Sequence, residues 1–232
     1  MPSDHDEVLL NGFHDQLAVE IGTPGLKALL GVASTEQPRG IVIFAHGSGS
    51  GRFSPRNGYV AERLRRAGLA TLLLDLLTPA EEQDRRNVFD VELLAQRLEL
   101  ARRWGRADPR TQDLAIGYFG ASTGAAAALV AAALPESDVG AVVSRGGRPD
   151  LAGAALARVR AATLLLVGGD DTGVIELNQT AFAKLTAPKE LVIIPGASHL
   201  FEEPGTLDAV VAHATWWFTH RLQAKHRRRG PS

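Results

Sequence analysis

The chain contains no cysteine, which excludes disulfides, thiolate metal sites and a cysteine nucleophile. It also lacks an excess of charge: 25 Lys and Arg face 26 Asp and Glu, for a formal net charge of −1. Without a basic footprint, neither nucleic acid nor an anionic membrane surface is an expected partner. Long apolar runs are missing too. None approaches the ~20 residues needed to cross a bilayer, because Gly, Asp or Arg interrupts each one. The first residues, MPSDHDEVLLNGFHDQ, carry acids in place of a basic leader, so no signal peptide is predicted and a cytoplasmic location is expected. The only strongly basic stretch, Lys225 to Arg229, follows the last apolar residues and reads as a frayed, solvated tail over 225–232. What remains is an ordinary globular composition, 45% hydrophobic and 22% charged, and a length that fits one domain over residues 1–232.

Along this chain, buried strands alternate with amphipathic helices. Leu17 to Ile21 and Leu26 to Val32, joined by Thr23-Pro24-Gly25, predict an antiparallel hairpin at one sheet edge. Ile41 to Ala45 is apolar throughout, as expected of a strand covered on both faces. Further strands are expected at 69–74, 114–118, 139–143, 163–167 and 190–194. Helices are expected at 56–67, 88–104, 123–134, 150–159, 176–185 and 207–222, and the polar segment 76–87 reads as a surface loop. Alternation of this kind predicts an α/β fold with a mostly parallel sheet and helices on both faces. Ligands of such folds sit at the carboxyl ends of the strands. The polar residues falling there are His46 to Gly51, Asp75, Ser122, Arg145 to Arg148, Asp170, Asp171 and His199.

The most informative stretch is Gly120-Ala121-Ser122-Thr123-Gly124, between an apolar strand and an alanine-rich helix. Glycines at both ends allow a turn tight enough to push a serine out at the end of the sheet. A serine hydroxyl needs a base within hydrogen-bond reach and a third group to orient that base. Acids stand at Asp170 and Asp171, and a histidine at His199, each just after a predicted strand. Serine, acid, histidine is the chain order of the strand-turn-helix hydrolases.

With Gly-Ala-Ser-Thr-Gly, His-Gly-Ser-Gly-Ser-Gly, Gly-Gly-Asp-Asp-Thr-Gly-Val and Gly-Ala-Ser-His-Leu-Phe-Glu-Glu-Pro-Gly together, the chain resembles the α/β-hydrolase superfamily. Within it, the chain is similar to compact, cap-poor dienelactone-hydrolase-like esterases, over nearly its whole length. True dienelactone hydrolases use a cysteine where this chain has Ser122, so the lactone substrate is not carried over. The resemblance implies that Ser122 attacks an acyl carbonyl, His199 relays its proton and Asp171 orients the imidazole. The family frame around Gly168 and Val174 favours Asp171 over Asp170. His46 matches a histidine that shapes the oxyanion loop, whereas the other histidines are expected at the surface. Backbone donors to the oxyanion are expected at Thr123 and at Ser48, with Gly47 beside it.

A nucleotide cradle is disfavoured, since Gly-Ser-Gly-Ser-Gly lacks the P-loop lysine and the dinucleotide spacing. Arg145 and Arg148, with Arg52 and Arg56, either line the pocket and favour an acidic substrate or pair with Asp75, Asp150 and the carboxylates of residues 81–84. The segment between Ser144 and Thr163 is too short for a helical lid, which predicts an open pocket. These features predict a serine hydrolase for small or short-acyl carboxylic esters, acting on a small molecule without metal or organic cofactor. Thioesterase or acyltransferase activity, and a non-catalytic binding module, are the alternatives. No feature of the sequence points to an oligomeric state.

Overall fold

Eight strands form one sheet in the order β1-β2-β4-β3-β5-β6-β7-β8 in the computed structural model, which describes residues 16–222 apart from residue 36. The basic tail and the histidines at 5, 14 and 226 lie outside the described residues. β1 (Gln16–Ile21) and β2 (Leu26–Gly31) form the expected edge hairpin, and β2 pairs antiparallel with β4 (Leu69–Leu74). From there β4, β3 (Gly40–Ala45), β5 (Ala115–Ala121), β6 (Val139–Arg145), β7 (Ala162–Gly168) and β8 (Lys189–Ile194) run parallel.

The period-2 alternation of strands sorts their side chains onto two faces. Ile41, Ile43, Leu72 and Tyr118 pack on one side with α4 (Val91–Ala107) and α5 (Thr123–Ala132). Val42, Phe44, Phe119 and Leu164 pack on the other with α1 (Pro55–Arg66) and α7 (Thr206–Arg221). Trp217 on α7 is buried there and its indole N–H donates to the Ala162 carbonyl at 3.1 Å. α6 (Thr172–Lys184) lies between β7 and β8 in the chain. This is the mostly parallel α/β architecture with a leading hairpin that the sequence predicts.

Three segments differ from the sequence reading. Residues 76–87 are not simply a polar loop: they hold α2 (Pro79–Glu82) and much of α3 (Arg85–Phe89), while Leu76 and Leu77 are buried. Thr78 and Glu81 satisfy each other's backbone amides in a capping box, and Asp84 caps α3. The expected helix at 150–159 is a 3₁₀ segment, Pro149–Arg158, broken at Gly153. α6 starts at Thr172, four residues earlier than expected, because the turn from Gly168 places Asp171 at its N-cap, where the Asp171 carbonyl accepts from Val174 and Ile175.

One contact fixes where α5 begins. A Cβ on Gly124 would lie 2.3 Å from the Ala45 carbonyl oxygen and 2.4 Å from that of His46. Because both obstacles are backbone, Gly124→Ala forces α5 away from β3, at a cost of about 3 kcal/mol. For a chain of this size that is about a 6–12 °C fall in Tm, measurable by thermal denaturation.

Candidate active site

β5 delivers Ser122 to the carboxyl end of the sheet in a left-handed conformation, φ 50° and ψ −123°. A non-glycine residue adopts this only when its surroundings impose it. They do so on three sides. A Cβ at Gly120 would sit 2.4 Å from Ala125 Cα, Gly124 touches β3 as described, and Gly47 packs so that its own Cβ would lie 3.0 Å from Ser122 Cβ. The Ser122 carbonyl accepts from the amides of Ala125 and Arg148, each at 3.1 Å.

His199 stands on the turn after β8. Its Nδ1 lies 2.6 Å from Asp171 Oδ2. With Nδ1–H donated to the carboxylate, Nε2 is left as an acceptor facing away from the pair. Asp170, the competing acid, is exposed and uses its backbone amide on the Ala197 carbonyl at 3.0 Å. The backbone of His199 can approach the end of β6 because residue 146 is glycine with φ 50°; a Cβ there would lie 2.8 Å from the His199 carbonyl oxygen. Glu203 holds the turn from behind by accepting the Ser198 amide at 3.0 Å, a contact that lowers its carboxyl pKa.

Ser122 and His199 line one cavity of about 220 Å³, with Gly47, Ser48, Arg56, Asn57, Arg145, Gly146 and Leu200 among its walls. Ser122 and His199 meet as walls of this one cavity. A second cavity of about 340 Å³ lies beyond the glycine loop and is lined by Leu76, Leu77, Val88, Leu94, Glu82 and Thr123. Gly47, Ser48 and Ser50 border both. Ser48 therefore sits where the two spaces meet, while Thr123 lines the larger one and opens α5, whose first amides have no intrahelical acceptor.

His46 shapes this loop. Its Nε2 accepts the Leu76 amide at 3.0 Å, which puts the proton on Nδ1, donated to the Gly47 carbonyl at 2.9 Å. Asp75 anchors the far end by accepting from the Arg52 amide at 2.7 Å and from its guanidinium. The remaining strand-end arginines divide. Arg148 is not among the walls of the Ser122 cavity and is held by Asp150 at 2.9 Å, the pairing that the sequence offered as the alternative to substrate binding. Arg56 lines the cavity but reaches Glu202 at 2.9 Å. Arg145 lines it, is only 7% exposed, and leaves Nε and Nη1 without hydrogen-bond partners. Leu200 and the adjacent Phe201, the latter at φ 57°, were not singled out in the sequence. Among the described residues no group of His, Cys, Asp or Glu is clustered as a metal site.

The sequence pattern of the dienelactone hydrolase family matches residues 26–220. The chain belongs to the dienelactone hydrolase family. A dienelactone hydrolase from Anabaena variabilis is 55% identical, with a TM-score of 0.85 over 90% of this chain and all of that one. Est1E from Butyrivibrio proteoclasticus, at 16% identity, shares the fold with a TM-score of 0.72 over 88% of this chain and 98% of its own. Two Mycobacterium tuberculosis proteins named putative phosphoribosyl transferase are 62% identical over 187 residues, 81% of this chain. This dienelactone hydrolase family member spans only 42% of their length.

The strain at Ser122 has a measurable consequence. Ser122→Gly relieves the left-handed backbone and Ser122→Ala does not, so the glycine variant should be the more stable of the two by about 1 kcal/mol in chemical denaturation, despite glycine's entropic cost.

Proposed function

We propose that this hydrolase cleaves carboxylic esters of small or short-acyl substrates through an acyl-enzyme. The observation that carries this reading is the Asp171–His199 pair at 2.6 Å, opening into the same cavity as a serine held in a strained elbow. In this scheme Ser122 Oγ attacks the acyl carbonyl while His199 Nε2 takes its proton. Asp171 keeps Nδ1 protonated and stabilises the imidazolium. The amides of Thr123 and Ser48 receive the oxyanion, helped by the positive end of α5. His199 then returns the proton to the departing alcohol. Water, deprotonated by the same imidazole, attacks the acyl-serine, and the acid leaves with Ser122 restored.

None of these steps calls on a metal or organic cofactor. The balanced net charge supports a small-molecule substrate over nucleic acid or a membrane surface. No helix among the described residues is long and apolar enough to cross a membrane. Phosphoribosyl transfer, named for the M. tuberculosis relatives of which this chain covers 42%, is not carried over to this chain.

Covalent labelling tests the assignment. An organophosphonate should label the wild-type protein and not Ser122→Ala, and the same substitution should abolish 4-nitrophenyl acetate hydrolysis. Asp171→Asn, which permits the wrong imidazole tautomer, should lower kcat by about 10³- to 10⁴-fold. An unlabelled, inactive wild type would favour a binding module. Labelling that persists in Ser122→Ala would move the nucleophile elsewhere, and acyl thioesters turning over much faster than esters would make this a thioesterase.

A further inference from the structure

The backbone of Ser122 is held by the segment that follows β6. Its amide donates to the Arg145 carbonyl at 3.4 Å and its carbonyl accepts from the Arg148 amide at 3.1 Å. The same segment meets the turn that carries His199, because Gly146 lies against the His199 carbonyl. Yet two of the four residues from Arg145 to Arg148 are glycines, the softest backbone available. Gly147 has to be one, since a Cβ there would fall 1.9 Å from Ser144 Oγ and 2.6 Å from Ala125 Cβ. A segment this pliable keeps a strained residue in place only if something outside it fixes its course. Asn178 on α6 is that fixed point. Its side chain is fully buried, and Nδ2 donates to the Gly147 carbonyl at 3.1 Å and to the Val174 carbonyl at 2.8 Å. Both neighbours are acceptors, so the atom between them has to be the nitrogen. Oδ1 closes no hydrogen bond. A leucine would fill the same space without that orphaned carbonyl, so what asparagine adds at this position is the donated pair of bonds.

We propose that Asn178 is a positioning residue for Ser122, setting how the nucleophile stands relative to the Asp171–His199 pair. The bridge has two ends. On α6, Val174 lies in the first turn and donates its amide to the Asp171 carbonyl at 3.0 Å, so the carbonyl that Asn178 holds moves with the residue that orients His199. At the other end, Gly147 is one residue before Arg148, whose amide holds Ser122. One carboxamide thus ties the helix of the acid to the clamp on the serine. Asn178 is not among the walls of the Ser122 cavity, so it acts through the backbone alone. Releasing it lets residues 145–148 shift against α6, which alters the approach of Ser122 to His199 and leaves the lining of the cavity unchanged. The effect on turnover rests on the reading of Ser122 as nucleophile, whereas the effect on the backbone does not.

The test pairs turnover with backbone exchange in the full chain. Asn178→Leu keeps the shape of the side chain and removes both donors. Because it also removes the orphaned carbonyl, it should cost no more than about 5 °C in Tm. Well below Tm, the rate of organophosphonate labelling and kcat/KM for 4-nitrophenyl acetate should each fall about 10- to 100-fold, the range for a displaced reacting group, with the loss in kcat and not in KM. Amide hydrogen exchange should quicken at Arg148, whose amide is bonded to Ser122, and not in β3 or β4. Asn178→Asp adds a readout that a structural role would not move. Ionised, its carboxylate faces two carbonyls with no proton to give, so at neutral pH its kcat relative to wild type should be low. Burial among carbonyls raises the pKa of such a carboxyl, and as the pH falls it gains a proton and one donor, so the ratio should rise, while that of Asn178→Leu stays flat. Unchanged labelling in Asn178→Leu, or an Asn178→Asp ratio that ignores pH, overturns the proposal. So does exchange that quickens over the whole sheet, or failure of both variants to fold, because either marks an asparagine of the fold and not of the site. A wild type that is neither labelled nor active, with exchange at Arg148 quickened in Asn178→Leu, would defeat the hydrolase reading and leave the positioning of Ser122 standing. An active, labelled wild type with exchange at Arg148 unchanged in Asn178→Leu does the reverse.

Discussion

The close approach of α5 to the end of β3 is the constraint on which the site depends. Gly124 brings the helix N-terminus against the carbonyls of Ala45 and His46, closer than any side chain permits. Three consequences follow from that one contact. The chain between β5 and α5 has to turn within a residue, which drives Ser122 into left-handed backbone. The glycine loop after β3 is brought over the serine, so that Gly47 touches its Cβ. The first amides of α5, unpaired within the helix, follow Ser122 directly, and Thr123 lines the larger cavity that Ser48 also borders. Ser122, the glycine loop and the first amides of α5 are thus placed together by backbone packing, not by separate side-chain contacts.

Two carboxylates at strand ends show how environment divides roles among like residues. Asp75 follows β4 and is consumed by the amide and guanidinium of Arg52, a contact that Gly51 makes possible because a Cβ there would lie 2.8 Å from Asp75 Oδ1. It pins the glycine loop, each of its two oxygens accepting from Arg52. Asp171 follows β7, has no arginine on it, and accepts from His199. Histidines divide in the same way. Both ring nitrogens of His46 are used internally, whereas His199 has Nε2 free toward the cavity.

The parts legible in the sequence were those written in local pattern. Apolar runs marked β3, β4 and β7, all buried along their full length. The two glycines around Ser122 marked the elbow, and the position of Asp171 and His199 after strands marked the pair. Less legible were features decided by tertiary partners. The capping box Thr78–Glu81 was present as a local signal, but the polar composition of residues 76–87 outweighed it. Burial of Leu76 and Leu77 arises from the cavity that they wall. Arg148 and Arg145 are indistinguishable in sequence, both arginines three residues apart at one strand end. Only the carboxylate of Asp150 beside the first, and its absence beside the second, separates them.

That separation bears on how the two cavities divide a substrate. The larger one is walled by Leu76, Leu77, Val88 and Leu94 together with His46, Ser50, Glu82 and Thr123. The smaller one carries Arg145 and Arg56 beside Ser122 and His199. A ligand passing between them at Ser48 would meet mixed leucine, valine and polar side chains on one side and arginines on the other. A low-dielectric wall strengthens the field of a cation that lacks an internal counter-ion. Pairing Arg145 with a carboxylate of the protein would have quenched that field and gained stability. Leaving it unpaired keeps a cation beside the strained serine, a local cost of the kind that proteins concentrate at functional sites.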